Sequence, residues 1–173
     1  MSQKLENSMK KITVAKVVLH MGVGKSGEPI ERAKRALQQI SGQKPSARNA
    51  KATQRDWGVH KGEPIGVAVT LRKQPAIDLI KRLLAAKGNQ LKSSSFDNFG
   101  NVSFGIKEHI DIQGVKYDPT IGIVGLNISI SFARPGFNIR FRSKHKASVG
   151  QHHRIKSDEA KEFLAREFGV QVI

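Results

Sequence analysis

The chain has no cysteine. That excludes disulfides, a thiol nucleophile and cysteine-based zinc sites, and it suits an intracellular setting. Aromatic residues are scarce: eight Phe, one Tyr and one Trp among 173 residues. A binding mode built mainly on stacking bases onto aromatic platforms is therefore disfavoured. No apolar run approaches the roughly 18–20 residues a membrane-crossing helix needs. Met1 to Lys11 lacks the apolar stretch of a secretory signal. Acidic residues are the most telling shortage. The 14 Asp and Glu are set against 30 Lys and Arg, for a formal net charge of +16. From Pro119 to Ser157 there is no acid at all.

That same stretch holds Arg134, Arg140, Arg142, Lys144, Lys146, Arg154 and Lys156, with His145, His152 and His153 among them. A segment this one-sided repels itself, and the repulsion is relieved by a polyanion laid across it. The balance points first to nucleic acid. A membrane surface fits less well, because the cations lie among Gly, Ser, Asn and His rather than opposite an apolar helical stripe. The apolar fraction of 38% is enough for a core. The length predicts one domain over 1–173, with a basic loop at 43–63 and a basic arm at 134–156.

Residues 1–10 read as a mobile or helical leader. The β-rich run Ile12 to His20 predicts a strand, with Val14, Val18 and His20 on one face and Thr13, Ala15, Val17 and Leu19 on the other. Gly22, Gly24 and Gly27 end it in a loop. Pro29 suits the first turn of a helix, and Ile30, Ala33, Ala36, Leu37 and Ile40 keep helical spacing up to Gly42. Residues 43–63 show no clear periodicity, and a loop that long inside a compact domain is often functional. Ile65 to Lys73 reads as a strand. Pro75 opens a helix with Ile77, Leu79, Ile80, Leu83 and Leu84 apolar, and Gly88 as its stop. Asn101 to Ile106 and Glu108 to Ile112 alternate like an edge hairpin or bent strand. Ile123 to Ala133 is the longest β-rich run, with Val124, Leu126, Ile128, Ile130 and Phe132 on one face. A last helix starts at Ser157 as N-cap, turns Ala160, Phe163, Leu164 and Phe168 inward, and stops at Gly169.

This order predicts an α+β fold: an antiparallel or mixed β-sheet with helices packed on one face and long basic loops. The other face stays open. Thr13, Thr70, Arg72, Asn127, Ser129 and Ser131 are expected on it, a surface of small polar groups and arginine suited to RNA phosphates and 2′-hydroxyls.

Gly22-Val-Gly-Lys-Ser26 follows a strand and invites a phosphate-loop reading. The spacing fails, because the pattern needs a glycine where Leu19 stands. A nucleotide-dependent enzyme using Gly22 to Ser26 is thus disfavoured. A turn whose N–H groups and Lys25 meet an RNA phosphate fits better. The adjacent His152 and His153 project differently and lack a completing ligand, so no metal is expected. No carboxylate cluster sits at catalytic spacing, so no enzyme and no cofactor are expected. Trp57, in the basic loop beside Gly58 and His60, has two readings: an anchor of the loop to the core, or an outward contact.

Six segments occur in order: Lys16 to Gly24, Ile40-Ser-Gly-Gln-Lys-Pro45, Gly62-Glu-Pro-Ile-Gly-Val-Ala-Val-Thr-Leu-Arg72, Ser95-Phe-Asp-Asn-Phe-Gly-Asn101, Tyr117-Asp118, and Gly125-Leu-Asn-Ile-Ser-Ile130. Together they closely resemble the universal large-subunit ribosomal protein family of L-five, which binds 5S rRNA. The resemblance runs from about residue 10 to 168, and the basic 134–156 segment looks like the archaeal and eukaryotic branch. It implies a cytoplasmic, ribosomal protein in the central protuberance that holds 5S rRNA onto the large subunit. Its implied partners are 5S rRNA, large-subunit rRNA, the peptidyl-site tRNA, a small-subunit head protein at an intersubunit bridge, and neighbouring large-subunit proteins. By residue, the family segments near 5S rRNA match Lys16, His20, Met21, Gly22, Gly24, Gln43, Lys44, Thr70 and Arg72, with Lys25 beside them. The loop facing tRNA matches the stretch with Lys51, Arg55, Trp57, His60 and Lys61. Arg134, Arg140, Arg142, Lys144, Lys146 and Arg154 are expected on other rRNA. A free-standing RNA chaperone using the same surface is a second alternative.

Overall fold

The computed structural model describes residues 7–173. The element order is β1 (Thr13–Gly22), α1 (Glu28–Ser41), β2 (Ser46–Asn49), β3 (Pro64–Leu71), α2 (Lys73–Ala86), β4 (Gln90–Leu91), β5 (Val102–Ile106), β6 (Leu126–Ala133), α3 (Ser157–Phe168) and β7 (Gln171–Val172). Five strands form one sheet in the order β2-β3-β1-β6-β5. Every pairing in it is antiparallel. β4 and β7 make a separate two-stranded parallel pair. The fold is α+β, as expected.

Helix formation follows the apolar stripes. In α1, Ile30, Ala33, Ala36, Leu37 and Ile40 are buried, Pro29 lies in the first turn, and Gly42 closes the end. In α2 the buried set is Ala76, Leu79, Ile80, Leu83 and Leu84. Ala76 takes a core position, and Ile77 is only half-buried. In α3, Ala160 and Leu164 are buried, and Phe163 packs edge-on against Phe132 of β6 at 5.4 Å between ring centroids. These stripes meet Val17, Leu19, Met21, Val67, Val69, Leu71, Ile128 and Ile130 of the sheet in one core.

The strict alternation expected in β1 does not hold along its whole length. A bulge lies between Val14 and Lys16. One extra residue there flips the pleat, so the same face of the sheet is reached from even positions before it and odd positions after it. Val14 therefore packs on the core together with Val17, Leu19 and Met21, while Thr13 is exposed.

Four further expectations are corrected. The 43–63 segment contains a strand, β2, paired with β3. All four of its residues are exposed, so it carries no apolar alternation to read. Residues His109–Asp111 form a 3-10 turn rather than a strand, with His109 itself buried. Helix α3 is capped one residue earlier than expected, at Lys156, whose N–H donates to Glu159 Oε2 at 3.0 Å. Strand β6 begins at Leu126 rather than Ile123, and Ile123 is exposed ahead of it. The helical reading of the leader holds for Ser8–Lys10, which form a 3-10 turn, and residues 1–6 lie outside the described residues.

Candidate nucleic-acid interface

With the helices on one side, the register assigns the opposite face residue by residue. Lys16 pairs with Ser131, Val18 with Ser129 and Thr70, and His20 with Asn127 and Ala68. Ser46 lies beside Ala68 and Arg48 beside Gly66 on the β2 edge. Ser103 and Gly105 lie beside Ser129 and Asn127 on the β5 edge. The Ser103 and Ser129 hydroxyls are 3.1 Å apart. This face is a lawn of hydroxyls, amides and backbone with Lys16, His20 and Arg48 set in it. It stays flat where a side chain would intrude. A Cβ on Gly66 would meet the Met21 carbonyl at 3.0 Å and His20 Nε2 at 3.3 Å, so glycine lets the imidazole lie across the strand.

The open face ends in two different structures. At the Gly22–Gly66 end, β2 and β3 are joined by residues 50–63. This loop has order of its own. Gln54 and Val59 bridge to each other, Arg55–Trp57 form a 3-10 turn, and Ala50 and Val59 are buried beneath it. Ala50 exchanges backbone hydrogen bonds with Gly62 and Glu63. Lys51, Arg55, Trp57, His60 and Lys61 are all exposed on it. Trp57 is 78% exposed. Of its two readings, the anchor is excluded: Ala50 and Val59 hold the loop, and the indole points outward.

At the Thr13–Ala133 end, β6 runs into the basic arm. Residues 134–156 form a closed loop with a defined neck. Arg134 donates to Glu159 Oε1 at 2.8 Å, to the Lys10 carbonyl at 3.1 Å, and at longer range to the carbonyls of His153 and Arg154. His153 Nε2 donates to the Pro135 carbonyl at 2.9 Å. Burial pushes the Glu159 carboxyl up, but the Lys156 amide and Arg134 outweigh it and hold it below the usual range. Within the loop, Arg142 Nε donates to the His145 carbonyl and Arg154 Nε to the Val149 carbonyl. Phe137–Arg140 and Gln151–His153 are 3-10 turns.

Two expected contact residues are thereby corrected. The Arg134 side chain is only 8% exposed and is occupied by protein acceptors; it clamps the neck and is not presented to a ligand. Met21 is fully buried in the core. The remaining cations are differently placed. Lys16 is half-buried, while Lys25, Lys44, Lys51, Arg55, Lys61, Arg72, Arg140, Arg142, Lys144, Lys146 and Arg154 are exposed. Among the described residues, none of them forms an ion pair. Gln43 and Lys44 lie exposed in the turn between α1 and β2. Sequence reasoning missed Arg48, Ser46, Ser103 and Gly105. The alternation of Val102 to Ile106 signalled the last two, whereas nothing signalled the β2 pair.

The turn after β1 is not a nucleotide cradle. The N–H groups of Val23 and Gly24 both go to the Ile65 carbonyl at 2.9 Å. The Ser26 hydroxyl donates to Glu63 Oε1 at 2.5 Å. That bond and the His60 amide hold the Glu63 carboxyl below its ordinary value. Glu28 and Glu31 occupy the first turn of α1. Three carboxylates where a triphosphate would sit repel it. The reading of this turn as an RNA-phosphate contact narrows accordingly: Lys25 remains free for a phosphate, but the two amides do not. Among the described residues, no cluster of His, Asp and Glu has metal-binding geometry, and no helix is long and apolar enough to cross a membrane.

Two family models match end to end. Residues 7–60 match that of ribosomal protein L5, and residues 64–171 match that of the ribosomal L5P family C-terminus. The chain belongs to the L5 ribosomal protein family. Its relatives named large ribosomal subunit protein uL5 include that of Nitrosopumilus maritimus, 69% identical over 99% of both chains. That of Cenarchaeum symbiosum is 60% identical over 98% of this chain and 100% of its own. That of Pyrobaculum aerophilum is 46% identical over 95% of this chain and 92% of its own. These are archaeal relatives, in keeping with the branch expected from the basic arm. The family is one of ribosomal proteins and not of enzymes. The two matched segments of this L5-family chain meet between residues 60 and 64, where the exposed loop gives way to β3.

Proposed function

We propose that the chain is a structural protein of the large ribosomal subunit that binds 5S rRNA and helps attach it in the central protuberance, acting as one domain. The observation that carries this reading is the open sheet face, where small polar groups and unpaired cations lie together on a member of this family. Lys and Arg supply phosphate contacts and hence affinity, while a flat polar surface reads the shape and 2′-hydroxyls of folded RNA. The contact set comprises Lys16, His20, Lys25, Gln43, Lys44, Thr70 and Arg72, with Gly22 and Gly24, where the lack of a side chain lets RNA approach without using the committed Gly24 amide. The loop carrying Lys51, Arg55, Trp57, His60 and Lys61 faces the peptidyl-site tRNA. Arg140, Arg142, Lys144, Lys146 and Arg154 lie on other rRNA, and the subunit also meets a small-subunit head protein and neighbouring large-subunit proteins.

Filter binding to 5S rRNA tests the division of labour. Lys44→Ala and Arg72→Ala should each weaken 5S binding by roughly 1–3 kcal/mol, the cost of leaving one partner of a polar contact unsatisfied. Changes within 51–61 should leave it intact and instead disturb tRNA or subunit association. No loss in either of the first two variants removes those residues from the site. An equal loss from the loop variants refutes the division.

A further inference from the structure

Where the arm folds back toward the sheet it encloses an open cleft of about 980 Å³. The cleft is lined by Lys16, Arg72, Arg140, Lys146 and Arg154, and by no acid. Phe99 and Phe141 line it too, and they are 60% and 73% exposed. Phenylalanine is rarely left this bare, and this chain has few aromatics. The Arg140 guanidinium sits 5.8 Å from the centre of the Phe141 ring, close enough for a cation–π contact. Hydrogen-bonding side chains of Asn101, Ser131 and Ser148 complete the wall.

We infer that this cleft takes a single unstacked nucleotide of a folded RNA. Its base would lie against Phe99 or Phe141, and its flanking phosphates against Lys16, Arg72, Lys146 and Arg154. The inference rests on the RNA-binding reading above. Exposed π-faces inside a ring of cations are what an unpaired nucleotide uses: stacking holds the base, and the cations hold the backbone. Volume permits it, since pockets of about 300–1,000 Å³ hold drug-sized ligands. An acidic peptide would share the charge, but continuity favours RNA. Lys16 and Ser131 belong both to the cleft and to the sheet's open face, and Arg72 follows directly on the end of β3, so one RNA can run from one onto the other. Scarcity of aromatics argues against a stacking platform along the whole surface, and it is compatible with one stacking site.

The test uses the full chain and three probes: 5S rRNA, a single-stranded 12-nucleotide oligouridylate, and a 12-base-pair RNA duplex. The double variant Phe99→Ala/Phe141→Ala should bind the single strand roughly 5- to 140-fold more weakly, the stacking range for one base. It should bind the duplex like the unaltered protein. Phe141→Trp should retain single-strand binding. Lys16→Ala/Arg72→Ala should weaken both probes. Both Phe side chains are exposed, so the variants should keep the thermal midpoint of the unaltered chain. Single-strand binding indifferent to the Phe pair overturns the inference, as does a failure to bind the single strand while 5S rRNA still binds. So does an acidic aromatic peptide that displaces the strand at lower concentration than unlabelled strand does. Failure of the unaltered chain to bind any of the three RNAs sinks the RNA-binding reading itself.

Discussion

Arg134 shows how one side chain can look like a ligand contact and be a structural pin. It opens the basic arm and is the one arginine there that the fold takes inside. Its four acceptors come from the N-terminal turn, the far side of the arm and helix α3. Arg134→Leu should therefore cost about 1.5–3 kcal/mol, the range for hydrogen bonds to a charged group, in urea unfolding. It should also raise hydrogen exchange across residues 135–153. Among the described residues, His109 is the other buried polar side chain. Its Nδ1 accepts from the Val124 N–H at 3.4 Å, which puts the proton on Nε2, and Nε2 has no partner among the described residues. Burial pushes its pKa below the ordinary 6.5. The unfolded chain then takes up a proton at a higher pH than the folded one. The stability from keeping His109 neutral is present above about pH 6.5 and is lost as pH falls from there toward the folded value. In His109→Leu the loss of urea midpoint between pH 7 and pH 5 should be shallower. An unchanged slope would show that other groups carry the acid sensitivity.

Elements differed in how far the sequence revealed them. β6 was legible from Leu126 to Ala133, because Leu126 to Phe132 alternate and one face is buried, but its expected start at Ile123 lay three residues too early. The helices were legible from their apolar stripes and glycine stops. β2 was invisible: Ser46 to Asn49 are all exposed, and the strand exists only because β3 offers an edge. In β1 the alternation was real but interrupted, and a bulge leaves no mark in residue type when both faces carry β-branched residues. The N-cap of α3 shifted because Glu159 serves two partners at once. The junction of arm and helix is tight. Gly100 has φ +73°, and a Cβ there would meet Ile155 Cγ2 at 2.8 Å and the Ala160 Cβ at 3.2 Å. Gly100→Ala should destabilise by roughly 1–3 kcal/mol through overcrowding and backbone strain. Thermal unfolding measures it, and a neutral result would show that the arm's base can shift without cost.

At the scale of the whole molecule, charge said nucleic acid but not which face would meet it. The sequence placed Thr70, Asn127, Ser129 and Ser131 together correctly, since period-two alternation needs no tertiary knowledge. It could not place Phe99 beside Phe141, which depends on how the arm closes. The cations act together through counterion release. Log affinity for RNA should fall linearly with log salt. Replacing Lys44 or Arg72 by Ala should reduce that slope by about 0.7–0.9 for each phosphate the side chain had neutralised. Affinity measured across a salt series checks this. A variant that binds more weakly with its slope unchanged was not neutralising a phosphate at that position.

The register also has a mechanical consequence. The exposed loop leaves the sheet at the Gly22–Gly66 end, and the arm leaves it at the Thr13–Ala133 end. A pull between partners held at those two ends runs along the strands. It passes from β3 to β6 through β1, which is hydrogen-bonded on both sides. Antiparallel ladder bonds stand perpendicular to the strands, so an axial pull shears many of them together instead of opening them one by one. The sheet is thus a stiff tie-rod between whatever the loop touches and whatever the arm grips.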